Sequence, residues 1–455
     1  MKAKQKETIG TLFSSQALKK LIIPLIIEQT LAVTVGMADT MMIATRGEAA
    51  MSGVSIVDSI AILMIGLFGA LATGGAVVAA QFIGRKDSEN ASKAANQLVV
   101  AIGSVSLFLM AVALIFNKQI LQLIYGKVEA DVMGYSRTYF YITAVSFPFL
   151  ALYNAGAALF RAMGNSKISM KVSLAMNAIN IVGNAFFLFV MKMSVEGVAL
   201  ATLLSRIVAA VVMLLLIRRP SNPIHIDEHF RLGFDWKIIK RILNIGVPNG
   251  LENSVFQIGK LMVQGITASF GTTAIAANAV ANTIASFEVI PGSAMGMAMI
   301  TIVGQCVGAD DETQMRYYTK KLLKIATGAI ILVNVVVMLA LDGIVLLYSL
   351  EPGTAELAKQ LMILHGLFAM LIWPLSFVLP NALRAANDVK FTMVASMFSM
   401  WTFRILFSYI LAKGMNLGVV GVWLAMFIDW GFRSICFVAR FWRGGYRKYS
   451  FAVKE

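Results

Sequence analysis

Apolar stretches long enough to cross about 30 Å of hydrocarbon recur along the whole chain. They run over about 17–44, 52–83, 97–117, 134–160, 168–191, 196–217, 242–269, 275–305, 322–348, 357–383, 391–412 and 418–440. Each run is continuously apolar rather than alternating, which points to helices and away from a β-barrel. The connectors are short, so little of the 455-residue chain is left for an aqueous domain. Composition agrees: 58% of residues are hydrophobic and 14% charged, against about 45–50% and about 25% in soluble chains. An ordinary soluble enzyme and a disordered chain are excluded. The fold expected is an all-α polytopic membrane protein with twelve transmembrane helices.

The net charge of +15 would mark a nucleic-acid surface only if it clustered on one aqueous face. It does not. With the N-terminus placed in the cytoplasm, 28 of the 39 Lys and Arg fall on cytoplasmic segments and 7 on outward ones. Arg206, Lys260, Arg404 and Arg433 fall within spans. This bias obeys the positive-inside rule. It puts both termini in the cytoplasm of a multi-pass cell-membrane protein, with membrane lipids as partners and no nucleic acid. The stretch ending near Ala44 exceeds a signal-peptide core and is expected to be a retained span. Cys306 and Cys436 make no disulfide framework and suit small buried fillers. The longest polar connector, 218–241, holds His225 and His229. It follows Pro220 and Pro223 and lacks a glutamate after the first histidine, so a solvated loop is expected over a metal site.

The two halves repeat at an offset of 224 residues. Pro24 and Glu28 match Pro248 and Glu252; Gly47 matches Gly271; Asp58 matches Asn282; Gln81, Gly84 and Asp87 match Gln305, Gly308 and Asp311. Arg161-Ala162 matches Arg384-Ala385 at 223, and Gly197 and Ala201 match Gly421 and Ala425. Six spans is an even number, so the repeat is parallel. The expected organisation is an N-terminal six-helix lobe over 1–217, a cytoplasmic inter-lobe loop over 218–241 and a C-terminal six-helix lobe over 242–455, related by pseudo-two-fold symmetry. A cavity between the lobes, served by rocking, argues for a transporter rather than a channel.

The ordered motifs Pro24-x-x-x-Glu28, Gly36-Met-Ala-Asp39-Thr, Arg161-Ala-Met-Gly-Asn165, Asn177-x-x-Asn180-x-x-x-Asn184, Pro248-x-x-x-Glu252 and Arg384-Ala-Ala-Asn-Asp388 resemble those of the multidrug and toxic compound extrusion (MATE) family, over essentially the full length. The resemblance implies a secondary active antiporter. It would export amphipathic or cationic organic compounds in exchange for Na+ or H+, with two six-helix lobes in a V.

An ionisable group inside a span is costly and is a functional candidate by default. Asp39 is the sharpest. Alone in an apolar lobe it suits reversible protonation, because burial disfavours the charged form; with oxygen partners it suits Na+. Asn180 and Asn184 share a helix face, with Asn177 one turn away and Thr202 in span six. Family members use a first-span aspartate, fifth-span polar residues and a sixth-span threonine as an N-lobe cation site, so Asp39, Asn180, Asn184 and Thr202 are expected to hold the coupling ion. Some members carry an aspartate where Asn184 stands, which leaves Na+ and H+ both open. The alternative is that these asparagines only tie helices together. Glu252 resembles the seventh-span acid of a C-lobe cation site, but span ten offers His365 and no acid; either a cation or a structural role fits. Lys260 is expected to neutralise an acid of that lobe. Met37, Asn177 and Glu288 are the expected substrate contacts, and Asp58 an expected cleft residue.

Arg206, Arg404, Asp429 and Arg433 are expected to pair among themselves, Asp429 with Arg433 along span twelve. Arg161 and Arg384 are expected to cap helices and meet lipid phosphates. Pro24 could kink span one. A monomer with small organic substrates is expected, with no cofactor beyond the coupling ion and no enzymatic activity, since H-E-x-x-H and G-x-S-x-G motifs are missing. The alternative is a lipid-linked oligosaccharide flippase of the same superfamily, which would need a strongly cationic cleft.

Overall fold

The structure, a computed structural model, describes residues 12–126, 129–226, 233–348 and 350–450. Among these, every regular element is a helix. The first six long elements are α1 (Ser15–Ala44), α2 (Glu48–Gly84), α3 (Ser88–Ile115), α4 (Ala130–Val145 with Phe147–Ala162), α5 (Ser166–Val190) and α6 (Val195–Ile217). The next six are α7 (Trp236–Ala268), α8 (Thr272–Glu288 with Ile290–Gly308), α9 (Glu312–Leu339), α10 (Pro352–Ala385), α11 (Val389–Gly414) and α12 (Gly418–Trp442). By length and apolarity ten helices qualify as spans, and the α4 pair, bent by 46° just before Pro148, makes eleven. The twelfth, α7, is 33 residues long. It falls short in apolarity because Asn249, Glu252, Asn253, Gln257, Lys260 and Gln264 all lie on it. Pro24 and Pro248 sit inside unbroken helices. His229 lies outside the described residues; His225 N–H donates to Ser92 Oγ at 3.3 Å, and no metal-competent cluster of His, Cys, Asp and Glu occurs among the described residues.

The sequence repeat has a local structural meaning. Gly47 and Gly271 begin α2 and α8 at φ +101° and +91°, a region that carries a Cβ penalty for other residues. Asp87 and Asp311 cap α3 and α9, accepting from Asn90 N–H at 3.0 Å and Gln314 N–H at 2.9 Å. The Asn90 side-chain and backbone N–H bonds hold the Asp87 carboxyl below the usual carboxylate range.

Each half has its own apolar core, and the two cores interlock. Leu18, Leu21 and Leu25 of α1 are buried in the C-terminal core, while Ile242 and Ile245 of α7 are buried in the N-terminal one. Helix α2 packs on both α7 and α8. Close backbone approach needs small residues at such crossings. A Cβ on Gly74 would lie 2.5 Å from the Ile242 carbonyl oxygen. At the end of the molecule that carries Arg85, Lys86 and the Arg161 and Arg384 loops, α2 and α8 cross reciprocally. A Cβ on Gly84 would lie 2.0 Å from the Gln305 carbonyl oxygen, and one on Gly308 2.0 Å from that of Gln81. Side chains complete this seal. Gln81 Nε2 donates to the Ala385 carbonyl at 2.9 Å and Gln305 Nε2 to that of Ala162 at 2.8 Å. The lobes are therefore closed at the basic end.

Candidate functional site

Above the seal, a cavity of about 500 Å³ lies between the lobes. Glu28, Asn154, Asn177 and Arg206 line it from one lobe, and Asn249, Asn253, Met297 and Thr301 from the other. A second cavity of about 490 Å³ lies within the N-lobe and is lined by Asp39, Asp58, Tyr139, Asn180, Thr202 and Arg206. Ile65, Met176, Asn177 and Arg206 border both cavities, so they form the wall between them.

In the N-lobe cavity α1, α5 and α6 converge. Their packing is what brings Asp39 to the asparagines, which are 141 and 145 positions away. Asn184 Nδ2 donates to Asp39 Oδ1 at 2.7 Å. The Asn180 amide fits in two orientations. With its nitrogen toward Asp39 it donates at 2.9 and 3.3 Å to the two carboxylate oxygens, and its oxygen accepts from Thr202 Oγ1 at 3.2 Å. Turned over, it donates to Thr202 Oγ1 at 3.2 Å and accepts from Asn184 Nδ2 at 3.4 Å, with its oxygen facing the carboxylate. Two facing acceptor oxygens need a proton or a cation between them. Asn184 Oδ1 is buried without a hydrogen-bond partner, a further oxygen available to a cation. Asp58 accepts from the Tyr139 hydroxyl at 3.4 Å, and Arg206 donates to Ser146 Oγ at 2.6 Å. Sequence reasoning placed Asp58 and Arg206 apart; here they line the same cavity as Asp39. Their signal was available, since each is a charge inside a span.

The other candidates are arranged differently from expectation. Glu252 is 5% exposed and already neutralised, its Oε1 lying 2.7 Å from Arg384 Nη2 and 3.9 Å from Arg433 Nη2. Arg384 therefore faces an acid rather than lipid phosphate. Arg161 does the same in the other lobe, 3.3 Å from Glu28, which also accepts from Ser169 Oγ at 2.9 Å. Lys260 neutralises neither Glu252 nor any acid lining its own cavity. Glu288 is 1% exposed and contacts His365 Nδ1, away from the central cleft. Met37 is exposed on α1 and lies outside the linings of these cavities. The expected four-charge cluster divides by lobe. Arg404 is 3.9 Å from Asp429 and Arg433 is 3.9 Å from Glu252, while Asp429, four residues before Arg433 on α12, also attracts the Arg433 guanidinium.

One stability consequence follows from the pairing of Glu252. Removing one partner of a buried ion pair is destabilising by about 3–5 kcal/mol, chiefly through the charge left behind. Arg384→Ala should cost about that much, and the double variant Arg384→Ala/Glu252→Ala should recover part of it. Thermal unfolding in detergent measures both. Equal loss in the two variants would show that packing, not charge, is at stake.

The family model described as MatE matches residues 24–186 and 248–410. The chain is 24% identical to the "uncharacterized transporter YisQ" of Bacillus subtilis, covering 95% of this chain and 97% of that protein. It is 25% identical to a "probable multidrug resistance protein NorM" of Thermotoga maritima, covering 96% and 94%. A solved structure described as the outward-facing conformation of a multidrug resistance MATE family transporter superimposes with a TM-score of 0.88 at 19% identity, covering 95% of this chain and 96% of that one.

Proposed function

The chain belongs to the MatE family, and from that premise we propose that it is a secondary active antiporter that exports amphipathic or cationic organic compounds in exchange for Na+ or H+. The observation that carries this reading is the Asp39–Asn180–Asn184–Thr202 cluster, set in a cavity that shares the Asn177–Arg206 wall with the inter-lobe cleft. A cation or proton taken up at Asp39 favours the Asn180 orientation that turns its oxygen inward. Without it, both amides donate to the carboxylate. The same helices border the cleft, so ion and substrate bias one packing equilibrium from two sides. Glu252, held by two guanidiniums, serves the C-lobe as a structural tie, as Glu28 does the N-lobe. The positive-inside bias supports a cytoplasmic seal and cytoplasmic termini.

The oligosaccharide-flippase alternative needs a strongly cationic inter-lobe cleft. Here the cleft lining has two arginines, and one of them pairs with Glu28. No catalytic dyad, cofactor or second subunit enters the proposed cycle, in which the chain acts as a monomer.

The test is efflux of a fluorescent organic cation from proteoliposomes under separate Na+ and H+ gradients. One of the two should drive transport alone and so name the coupling ion; transport indifferent to both would overturn the proposal. Asn184→Ala should weaken the apparent affinity for that ion about tenfold, the worth of about one hydrogen bond to a charged group.

A further inference from the structure

The N-lobe cavity has an image in the C-lobe. A cavity of about 480 Å³ is lined there by Lys260, Gln264, Asn278, Asn282, Arg404 and Trp423. At the repeat offset of 224, Gly36 of the N-lobe lining corresponds to Lys260, Asp39 to Val263, Val54 to Asn278, Asp58 to Asn282 and Thr202 to Met426, while Arg404 lies on α11, the repeat mate of the helix that carries Asn180. Both acids have become uncharged residues, and two cations have appeared. The N-lobe lining carries two carboxylates and one guanidinium. The C-lobe lining carries an ammonium and a guanidinium and no acid.

Lys260 has no acid paired with it among the described residues, and Arg404, though ion-paired with Asp429, keeps an unfilled donor. Lys260 is exposed within the cavity and lies over the Phe256 ring, 5.2 Å from its centre. Arg404 is 8% exposed, and its Nε is buried with no hydrogen-bond partner. Asp429 Oδ2 stands 3.9 Å from Arg404 Nη1, an ion pair beyond hydrogen-bond reach, while Ser399 Oγ donates to Asp429 Oδ1 at 2.5 Å. A guanidinium buried in a membrane protein with an unfilled donor is costly unless a ligand satisfies it. Trp423 Nε1 donates to Asn278 Oδ1 at 2.9 Å, which leaves the Asn278 amide nitrogen as a further donor beside an aromatic wall.

We infer that the C-lobe cavity binds the anionic group of an amphipathic molecule, a carboxylate or a phosphate, with Lys260 and Arg404 as its counter-charges and Trp423 and Met426 as its apolar contact. The two lobes then offer cavities of opposite sign. The anion has two sources, a free organic acid or a phospholipid headgroup.

The test is equilibrium binding of radiolabelled benzoate to the full-length protein in phosphatidylcholine nanodiscs, with no ion gradient, so that it stands apart from antiport. Saturable binding is expected, weakened tenfold or more by Lys260→Ala and by Lys260→Glu, retained in Lys260→Arg, and untouched by Asp39→Asn. Arg404→Gln should act like Lys260→Ala; because it is buried, its elution profile and thermal midpoint are checked alongside, while Lys260, being exposed, carries the test alone if Arg404→Gln fails to fold. Displacement of benzoate by phosphatidylglycerol in the nanodisc would name a lipid headgroup as occupant; persistence of binding would name a free acid. Non-saturable binding, binding unchanged in Lys260→Ala, or equal competition by uncharged benzyl alcohol would each overturn the assignment.

Discussion

Asp39→Asn should abolish gradient-driven efflux, lowering it more than tenfold to the leak rate, while the protein still folds. The substitution keeps the shape of the side chain and one oxygen that can accept from Asn184, 2.7 Å away. It removes the charge that would hold a proton or a cation. Without differential affinity for the ion between two states, the ion gradient cannot shift the packing equilibrium, however strong the gradient is. Substrate binding should persist, because the central cleft is lined separately and reaches this cluster only through the Asn177–Arg206 wall. Efflux measured in proteoliposomes beside equilibrium substrate binding separates the two. Undiminished coupled transport in this variant would remove Asp39 from the mechanism.

The second large effect is expected at the seal. Gly84→Val and Gly308→Val would each push a Cβ to about the 2.0 Å point from a carbonyl oxygen of the opposite lobe. Backbone atoms cannot turn aside as a side chain can, so the lobes must separate. Overpacking of this kind costs about 1–3 kcal/mol, which on a two-state equilibrium is roughly 5–150-fold. The closed basic end should open by that factor. The measurement is labelling of a cysteine at Thr73→Cys, which lines the cleft, by a charged thiol reagent added from the basic side, in a Cys306→Ala/Cys436→Ala background. Faster labelling and slower efflux are expected together. An unchanged labelling rate would mean that the crossing is not the gate.

The seal also illustrates what is legible in a sequence. Gln81, Gly84, Gln305 and Gly308 stand out as repeat mates, yet the repeat alone does not say that each pair touches the other. Contact required α2 and α8 to cross. The same holds for α7, whose polar face keeps it from reading as fully apolar, although it is as long as its neighbours and packs between the lobes.

The packing of α1, α5 and α6 brought Asp39 to Asn180 and Asn184; the sequence by itself determined the helical membrane architecture, the two-lobe duplication and which polar residues inside spans are candidates. Those depend on run length, periodicity and residue identity, which are local properties. Tertiary structure alone decided which charges meet. Glu252 went to Arg384 and Arg433, Arg404 to Asp429, Arg206 to the Asp39 cavity, and Lys260 to a cavity without an acid. Charge pairing inside a membrane is set by which helix faces touch. Partners such as Glu252 and Arg384 lie 132 residues apart, and no local pattern carries that information.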